Sequence, residues 1–309
     1  MRKLVIIEGI PGSGKSTFAR FLANQLERNH YRCELFLETT YDHPIIHSES
    51  FDDYHLFIES YLHRWRTFLT NQPDSDVVVM ESALFQSPIV HLLHKDVDRD
   101  IIRTLLVTVS KLVSEVDSKL IYLYSENTDV AIQTMIDLRG KEFLTRKYNE
   151  YKHEQYFVNR IEQGSDAHIS FFKEYAALAN EIIREVAVEA LIIDNSKRNY
   201  AEYEQQLINA FDLTYIPDPR LDRSILERYV GTYHNQAMNF SINIEFVQDH
   251  LFIFGNRKLR PKSQNQFYLD DMSVVVNFIT EGNTNRVVIT EKDLYANRND
   301  HGTAFERIS

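Results

Sequence analysis

Residues 9–16, with the sequence GIPGSGKS, constrain the fold of this chain more than any other stretch. They fit the pattern G-x-x-x-x-G-K-[ST], the Walker A motif. An apolar run typical of a strand precedes them at residues 4–7, and residues 17–26 carry apolar side chains at helical spacing. Because this pattern binds phosphate where a buried strand ends and a helix begins, we predict a phosphate-binding loop at residues 9–16.

The loop also predicts the residues that hold a nucleoside triphosphate. Glycines let the backbone turn tightly and aim its N–H groups inward, and the helix presents its positive end to anionic oxygens. Lys15 is expected to reach the β- and γ-phosphates, and the Ser16 hydroxyl is expected to ligate Mg²⁺. The residues predicted to bind ATP are Gly9, Pro11, Gly12, Ser13, Gly14, Lys15, Ser16, Thr17 and, after a later strand, Asn195.

Strands and helices alternate through residue 211. The segments typical of strands are residues 4–7, 33–37, 77–80, 120–124 and 190–194, and those with helical spacing are residues 17–26, 51–69, 99–116, 130–138 and 200–211. Such alternation is the signature of a parallel sheet covered by helices on both faces. The first part of the chain is therefore predicted to be an α/β domain.

The pattern changes after the proline-containing stretch at residues 216–219. Beyond residue 224, six short alternating runs are separated by turn residues, as in an antiparallel sheet or barrel. The predicted division is an α/β domain at residues 1–215, a linker at 216–223 and a small antiparallel all-β, barrel-like domain at 224–309.

Two carboxylates follow strands of the predicted parallel sheet. Ligands bind at the carboxyl ends of such strands, so Glu38 is expected to contact the substrate. Glu81 is expected to hold Mg²⁺ through water or to accept the proton of an attacking hydroxyl, which makes it a candidate metal-binding and catalytic residue. The alternative for Glu81 is a solvated acid at the end of a strand.

Several arginines could serve the same cleft. Arg64 and Arg66 flank Trp65 on the second predicted helix, and they either point into the substrate cleft or lie exposed, while Trp65 is expected in the core. Arg139 opens the basic segment 139–147, whose cations could close over transferring phosphates. The alternative for this segment is a helix end with solvated charges.

Composition narrows the class of protein. Apolar residues make up 43% of the 309 and charged residues 26%, as in a soluble globular protein, and the net charge of −11 argues against a nucleic-acid polymer as partner. A single cysteine, Cys33, excludes an intrachain disulfide. The first apolar run is too short for a signal peptide or membrane span, so a cytoplasmic location is expected. The histidines at positions 43, 47 and 55 lack the spacing of a metal site, and we interpret them as solvated or substrate-facing.

The first 212 residues resemble the P-loop kinases of nucleosides, nucleotides and other small molecules. The resemblance lies in GIPGSGKST and in LIYLYSENTDVAIQTMIDLRG, which is similar to the part of thymidylate-kinase-like enzymes where a strand and helix lead into a basic lid ending in R-G. Thr134 stands where that family often has another arginine, and Glu81-Ser82 where it has Asp-Arg. A glutamate at that place resembles the Glu-Arg-Ser of deoxynucleoside kinases. Residues 224–309 resemble the lipocalin-like barrel appended to some serine-hydrolase homologues, through RYVGTYHN, HLFIFG, LRPKSQNQFYLDD and FERIS.

The resemblance implies an ATP- and Mg²⁺-dependent kinase acting on a small molecule, above all a nucleoside, nucleotide or similar metabolite with a hydroxyl or phosphate group. Lys15, Glu81 and Arg139 would be its catalytic residues. Two alternatives stay open: a kinase of an antibiotic or other xenobiotic, and a nucleotide-controlled binding module in which the barrel holds the ligand. No membrane partner is expected, and a homodimer is left open.

Overall fold

The computed structural model of the chain describes residues 3–40, 43–46, 51–71, 73–140, 142–270, 272–281, 284–291 and 302–309. The chain divides into two compact units: one comprises residues 1–38 and 43–214, and the other residues 39–42 and 215–309. Among the described residues, no helix combines the length and the apolar character needed to cross a bilayer.

The first unit is built on a parallel sheet. Its strands are β1 (Lys3–Gly9), β2 (Cys33–Phe36), β3 (Val77–Glu81), β4 (Ser118–Tyr124) and β5 (Glu189–Asp194). Within the described residues they lie in the order β2-β3-β1-β4-β5, and every pair is parallel. The strand that precedes the phosphate-binding pattern is therefore central, with β3 on one side and β4 on the other.

Helices cover both faces of this sheet, as the alternation of strands and helices predicts. They are α1 (Lys15–Arg28), α2 (Tyr54–Thr70), α3 (Gln86–His94), α4 (Arg99–Ser114), α5 (Thr128–Arg139), α6 (Glu142–Tyr151), α7 (Gln155–Val158), α8 (Gly164–Ile182) and α9 (Tyr200–Ala210). Side chains of β1 alternate between two apolar clusters: Leu4 and Ile6 join one cluster, and Val5 and Ile7 join the other. Alternation between two buried faces explains why the strands read as continuous apolar runs.

Two helices in this unit, α3 and α6, differ from what the sequence patterns predicted. α3 lies in a stretch that the sequence patterns left unassigned, directly after the carboxyl end of β3. The basic segment predicted as a lid is divided between the last residue of α5, Arg139, and the helix α6. Lys141, which belongs to that segment, lies outside the described residues.

The second unit is a closed antiparallel barrel. It begins with a short helix, α10 (Arg223–Leu226), and a 3₁₀ turn, and its strands are β6 (Gly231–Asn235), β7 (Phe240–Val247), β8 (His250–Ile253), β9 (Arg257–Pro261), β10 (Gln266–Leu269), β11 (Met272–Glu281), β12 (Thr284–Glu291) and β13 (Thr303–Arg307). In the described part of the chain, each strand pairs with its neighbours in sequence, and β13 closes the ring on β6. The six strands predicted from the sequence are present, and β9 and β13 complete the barrel.

The barrel interior is filled by apolar side chains. Residues such as Ile244, Phe267, Phe278 and Ile289 belong to one contiguous buried cluster. An eight-stranded barrel is just wide enough for side chains to fill it. The stretch predicted as a linker is fastened to this unit, because the Asp218 carboxylate accepts hydrogen bonds from Arg260 Nε and from the Tyr268 hydroxyl, both at 2.9 Å.

Candidate active site

The glycine-rich loop joins β1 to α1 and depends on glycine at two points. Gly9 and Gly12 both have positive φ angles, 154° and 82°. A Cβ on Gly9 would approach the Leu123 carbonyl oxygen to 2.8 Å, and a Cβ on Gly12 would approach Met135 Cγ to 2.8 Å. Larger residues would therefore force the loop away from β4 and from α5, which packs against it.

Side chains hold the loop through its carbonyl groups. Lys15 is 4% exposed, and its Nζ donates to the Ile10 carbonyl oxygen at 3.1 Å. Asn195 Nδ2 donates to the Ser13 carbonyl oxygen at 2.6 Å, and Arg198 Nη2 donates to the Gly12 carbonyl oxygen at 3.2 Å. Within the loop, the Ser13 N–H also donates to the Ile10 carbonyl oxygen at 3.1 Å, so these contacts fix the shape of the loop.

The loop has the features that a bound triphosphate requires. α1 begins after Gly14, which has no side chain to cap the helix, so its first N–H groups need outside acceptors. Within the described residues, the buried Ser13 Oγ and Asn195 Oδ1 have no hydrogen-bond partner. A buried hydroxyl without a partner, close to the uncapped start of α1, fits a phosphate oxygen. Pro11 and Thr17, also predicted to bind ATP, are partly buried in the same stretch.

Ser16 and Glu81 meet at the mouth of the loop. Ser16 Oγ donates a hydrogen bond of 2.8 Å to Glu81 Oε1, although the residues are 65 positions apart in the chain. Register brings them together, since Ile7 of β1 is paired with Glu81 at the end of β3. Burial raises the pKa of Glu81, and Lys15 opposes that rise. Hydroxyl and carboxylate oxygens are the ligands that Mg²⁺ prefers, so this pair fits the metal.

Glu38 lies beside Glu81 at the end of β2. Its backbone N–H donates to Glu81 Oε2 at 3.2 Å, and its exposed side chain accepts from Gln86 Nε2 at 2.5 Å. The negative charge of Glu38 adds to the rise in the pKa of Glu81. The two strand-end carboxylates predicted from the sequence are thus brought together, with Gln86 as a residue that the sequence patterns did not indicate.

A third carboxylate lies below the other two. Glu8, the residue before Gly9, is fully buried. Its Oε1 accepts from the backbone N–H groups of Leu84 at 2.6 Å and Phe85 at 2.9 Å, and its Oε2 accepts from that of Gln86 at 3.2 Å. Burial raises the pKa of Glu8 to about 7, and these hydrogen bonds together with the Lys15 charge limit the rise. The sequence carried a signal for Glu8: an acid inside an otherwise apolar strand.

The three arginines predicted to serve the cleft lie in different surroundings. Arg64 Nη1 donates to the carbonyl oxygens of His43 at 3.2 Å and Ile46 at 3.3 Å, so this side chain holds the segment 43–46. Arg66 is exposed, and the guanidinium of Arg139 lies 4.8 Å from the centre of the Phe143 ring. Sequence reasoning missed Arg198, which contacts the loop directly, because nothing but its place after β5 marks it.

His43 is buried, contrary to the interpretation of this histidine as solvated. Its Nδ1 accepts from the backbone N–H groups of Ile45 and Ile46, both at 3.0 Å, and burial lowers its pKa to about 3. It is therefore a neutral residue that organises a turn. His55 is exposed, and His47 lies outside the described residues. Among the residues that the structure describes, no group of histidine, cysteine and acidic side chains could by itself hold a metal ion.

A small cavity adjoins the loop. It has a volume of about 30 Å³ and is lined by residues that include Gly12, Ser13, Thr134, Asn195 and Arg198. Space of this size holds about one water molecule. Because α5 contributes Thr134 and leans on Gly12 through Met135, the distance of this helix from the loop sets the room available there.

Comparison with known proteins finds only distant similarities to solved structures. No model of a protein family and no curated protein matches the chain. Among solved structures, YorR from Bacillus subtilis in complex with phosphorylated GDP matches with 13% identity and a TM-score of 0.40, over 68% of this chain and 95% of that chain. Deoxyadenosine kinase from M. mycoides with bound dATP matches with 16% identity and a TM-score of 0.37, over 69% and 100%. Shikimate kinase from Acinetobacter baumannii matches with 15% identity and a TM-score of 0.36, over 69% and 96%.

At these identities and with TM-scores below 0.5, the similarities carry no argument about the function of this chain. The thymidylate-kinase-like and lipocalin-like resemblances stay predictions. What the chain does has to be argued from its own site.

Proposed function

We propose that the first unit is an ATP- and Mg²⁺-dependent phosphotransferase that acts on a small molecule with a hydroxyl or phosphate group, of the nucleoside or nucleotide class. The observation that carries this proposal is the hydrogen bond of 2.8 Å between Ser16 Oγ and Glu81 Oε1. It joins the hydroxyl of a phosphate-binding loop to a buried carboxylate on the neighbouring strand, and phosphoryl transfer requires both at one point.

The residues of the loop would bind and orient the triphosphate. Backbone N–H groups of the loop and of the first turn of α1 would donate to phosphate oxygens, and Lys15 would exchange the Ile10 carbonyl oxygen for the β- and γ-phosphates. Ser16 and Glu81 would hold Mg²⁺, directly or through water. The metal supplies neutralisation of the charge that builds up on the phosphate oxygens.

Glu38 and Glu81 would have different roles toward the phosphoryl acceptor. Glu38, whose side chain is exposed at the end of β2, would accept a hydrogen bond from the acceptor and so position it. In its alternative role, Glu81 would take up the proton of the attacking hydroxyl instead of holding the metal. Arg139 would approach the transferring group only if the end of α5 moves toward the loop.

The test is a screen for ATP consumption with nucleosides, nucleotides and antibiotics as acceptors, with the Lys15→Ala variant as control. Because Lys15 is buried, folding of the variant is verified by circular dichroism, and the folded variant should lose activity by about 100-fold or more. Near-normal turnover by folded Lys15→Ala would contradict the proposal. Tight ATP binding without turnover on any acceptor would favour the nucleotide-controlled binding module instead.

A further inference from the structure

Among the residues that the structure describes, Glu8 is the one buried acid at this end of the sheet to which the proposed reaction gives no role. Its carboxylate is fully buried, and it accepts hydrogen bonds from three successive backbone N–H groups at residues 84–86. Burying a carboxylate costs free energy unless its oxygens are hydrogen-bonded. An apolar side chain would complete β1 at a lower cost in free energy. The function of Glu8 therefore lies in the backbone turn to which those three N–H groups belong.

The three N–H groups belong to the turn that leads from β3 into α3. Ser82, at the start of this turn, has a φ of 61°, a left-handed conformation that costs a non-glycine residue free energy. The hydroxyl of Tyr61 donates to the Ala83 carbonyl oxygen at 2.7 Å. Glu8 and Tyr61 thus hold a strained turn from both its N–H and its C=O sides, which fixes where α3 begins.

α3 begins with Gln86, and Gln86 contacts the acceptor side of the proposed site. Its backbone N–H donates to Glu8, while its side chain donates to Glu38 Oε2 at 2.5 Å. Glu38 in turn donates its backbone N–H to Glu81 Oε2, and Glu81 accepts from Ser16. One continuous chain of hydrogen bonds therefore runs from Glu8 to the mouth of the phosphate loop.

We propose that Glu8 is a positioning residue for Glu38, the carboxylate that would contact the phosphoryl acceptor. Glu8 fixes the backbone of residues 84–86, and Gln86 then fixes the Glu38 side chain. The inference rests on the proposed phosphotransferase function. It makes Gln86 the link between Glu8 and Glu38, so removing the link should remove the effect of Glu8.

The variant Glu8→Gln tests this with little change of shape. It replaces one carboxylate oxygen by an NH₂ group, so at least one of the three backbone N–H groups loses its acceptor. Gln86→Ala removes the side chain that holds Glu38 and keeps the backbone. Ser110→Ala is the matched control, because Ser110 is fully buried on α4 and its hydroxyl bonds backbone groups at Val107 and Ala187.

We expect Glu8→Gln and Gln86→Ala each to lower kcat by about 10-fold, the scale on which a misplaced group slows a reaction, with the KM for ATP changed less than about twofold. The double variant should be no slower than the slower single variant. Ser110→Ala should lower Tm and leave kcat unchanged. Multiplying effects in the double variant, or a Glu8→Gln enzyme that loses only Tm, would overturn the proposal.

Hydrogen exchange gives a readout that does not depend on activity. Glu8→Gln should keep its amide oxygen toward the N–H groups of Leu84 and Phe85 and lose the acceptor of the Gln86 N–H, so it should speed exchange of the Gln86 and Glu38 amides by about 10-fold or more, whereas Gln86→Ala should speed that of Glu38 alone. If wild-type protein transfers no phosphate, the proposed function fails and exchange alone decides this proposal. Unchanged exchange at Glu38 in Glu8→Gln overturns it. Should Glu8→Gln not fold, Glu8→Asp, which keeps both oxygens on a shorter side chain, takes its place with the same expectations.

Discussion

Glu81 is a buried carboxylate that accepts hydrogen bonds from two other parts of the proposed site. It accepts from Ser16 and from the backbone of Glu38, and it is 3% exposed. A carboxylate in that position can act on metal-bound water or on the acceptor proton, whereas an amide of the same shape can do neither.

We therefore expect Glu81→Gln to bind ATP, to keep or raise its Tm at neutral pH, and to transfer phosphate roughly 100-fold more slowly, the usual scale for a positioned base. The Tm expectation follows from burial, which raises the pKa of Glu81 and so disfavours its ionised form in the folded protein. ATP titration, thermal melts and kcat measure the three effects. Glu189→Gln is the control, an exposed acid where β5 begins. If the Glu81→Gln variant unfolds but its folded fraction keeps full activity, the role of Glu81 is structural.

At the scale of elements, α5 packs against the phosphate loop, and α6 follows it in the chain. Met135 of α5 packs on Gly12, and Arg139 ends the helix. In α6, Lys147 pairs with Glu150 at 2.9 Å, within its own helix. On the thymidylate-kinase-like pattern predicted from the sequence, Thr134 replaces an arginine, so we expect Arg139 to carry more of the charge stabilisation.

Arg139→Lys should lower kcat by at least about 10-fold and change ATP affinity little, because an ammonium cannot copy the planar fork of a guanidinium and the charge it meets develops during transfer. Lys147→Ala should matter little for either quantity. Steady-state kinetics and ATP titration of both variants measure this. Equal, small effects would show that the segment is a charged surface.

Two buried histidines, His94 of α3 and His168 of α8, and the partly buried His91 of α3 make this packing sensitive to acid. Burial lowers the pKa values of His91, His94 and His168 to about 4, 3 and 4. The His94 ring stacks between Tyr151 and Phe171, at 4.4 and 4.7 Å. Histidines that must stay neutral in the fold but take up protons near pH 6.5 once unfolded stabilise the protein fully only above that pH.

Each of these histidines should therefore contribute a fall in the free energy of unfolding of about 1.4 kcal/mol per pH unit as pH drops from about 6.5 toward 4, against which the raised pKa of Glu8 acts in the opposite sense. His94→Phe should reduce that slope by one histidine's share and keep the ring stack. Urea unfolding of both proteins between pH 7 and 4.5 tests it. Parallel curves for wild type and variant would mean that His94 takes up its proton in the folded state.

At the scale of the whole molecule, each unit has its own core. Among the described residues, the two clusters around the parallel sheet draw only on residues up to Leu213, and the barrel cluster only on Leu221 and beyond. A unit with its own core can fold alone.

Removal of residues 216–309 should therefore leave a folded first unit that binds ATP. Circular dichroism, a cooperative thermal melt and ATP titration of the fragment measure this. An insoluble fragment would mean that the units share stabilising contacts and that the predicted boundary is wrong.

The sequence by itself determined the local structure, because periodicity and turn chemistry act over a few residues. GIPGSGKS specified the loop, apolar runs marked the strands of the sheet, and Asn127 signalled the start of α5, where its side chain accepts from the Val130 N–H at 3.1 Å. Strand ends also indicated Glu38 and Glu81, since parallel strands bring their carboxyl ends to one edge.

Only the tertiary structure decided which of these groups meet. The order β2-β3-β1-β4-β5 sets Glu81 beside Ser16 and the residues after β3 above Glu8, and no local pattern specifies that order. The barrel's last strand pairs with its first for the same reason. Contacts between residues far apart in the chain depend on how whole elements pack, so Gln86 and Arg198 had no signal in the sequence that could have revealed their partners.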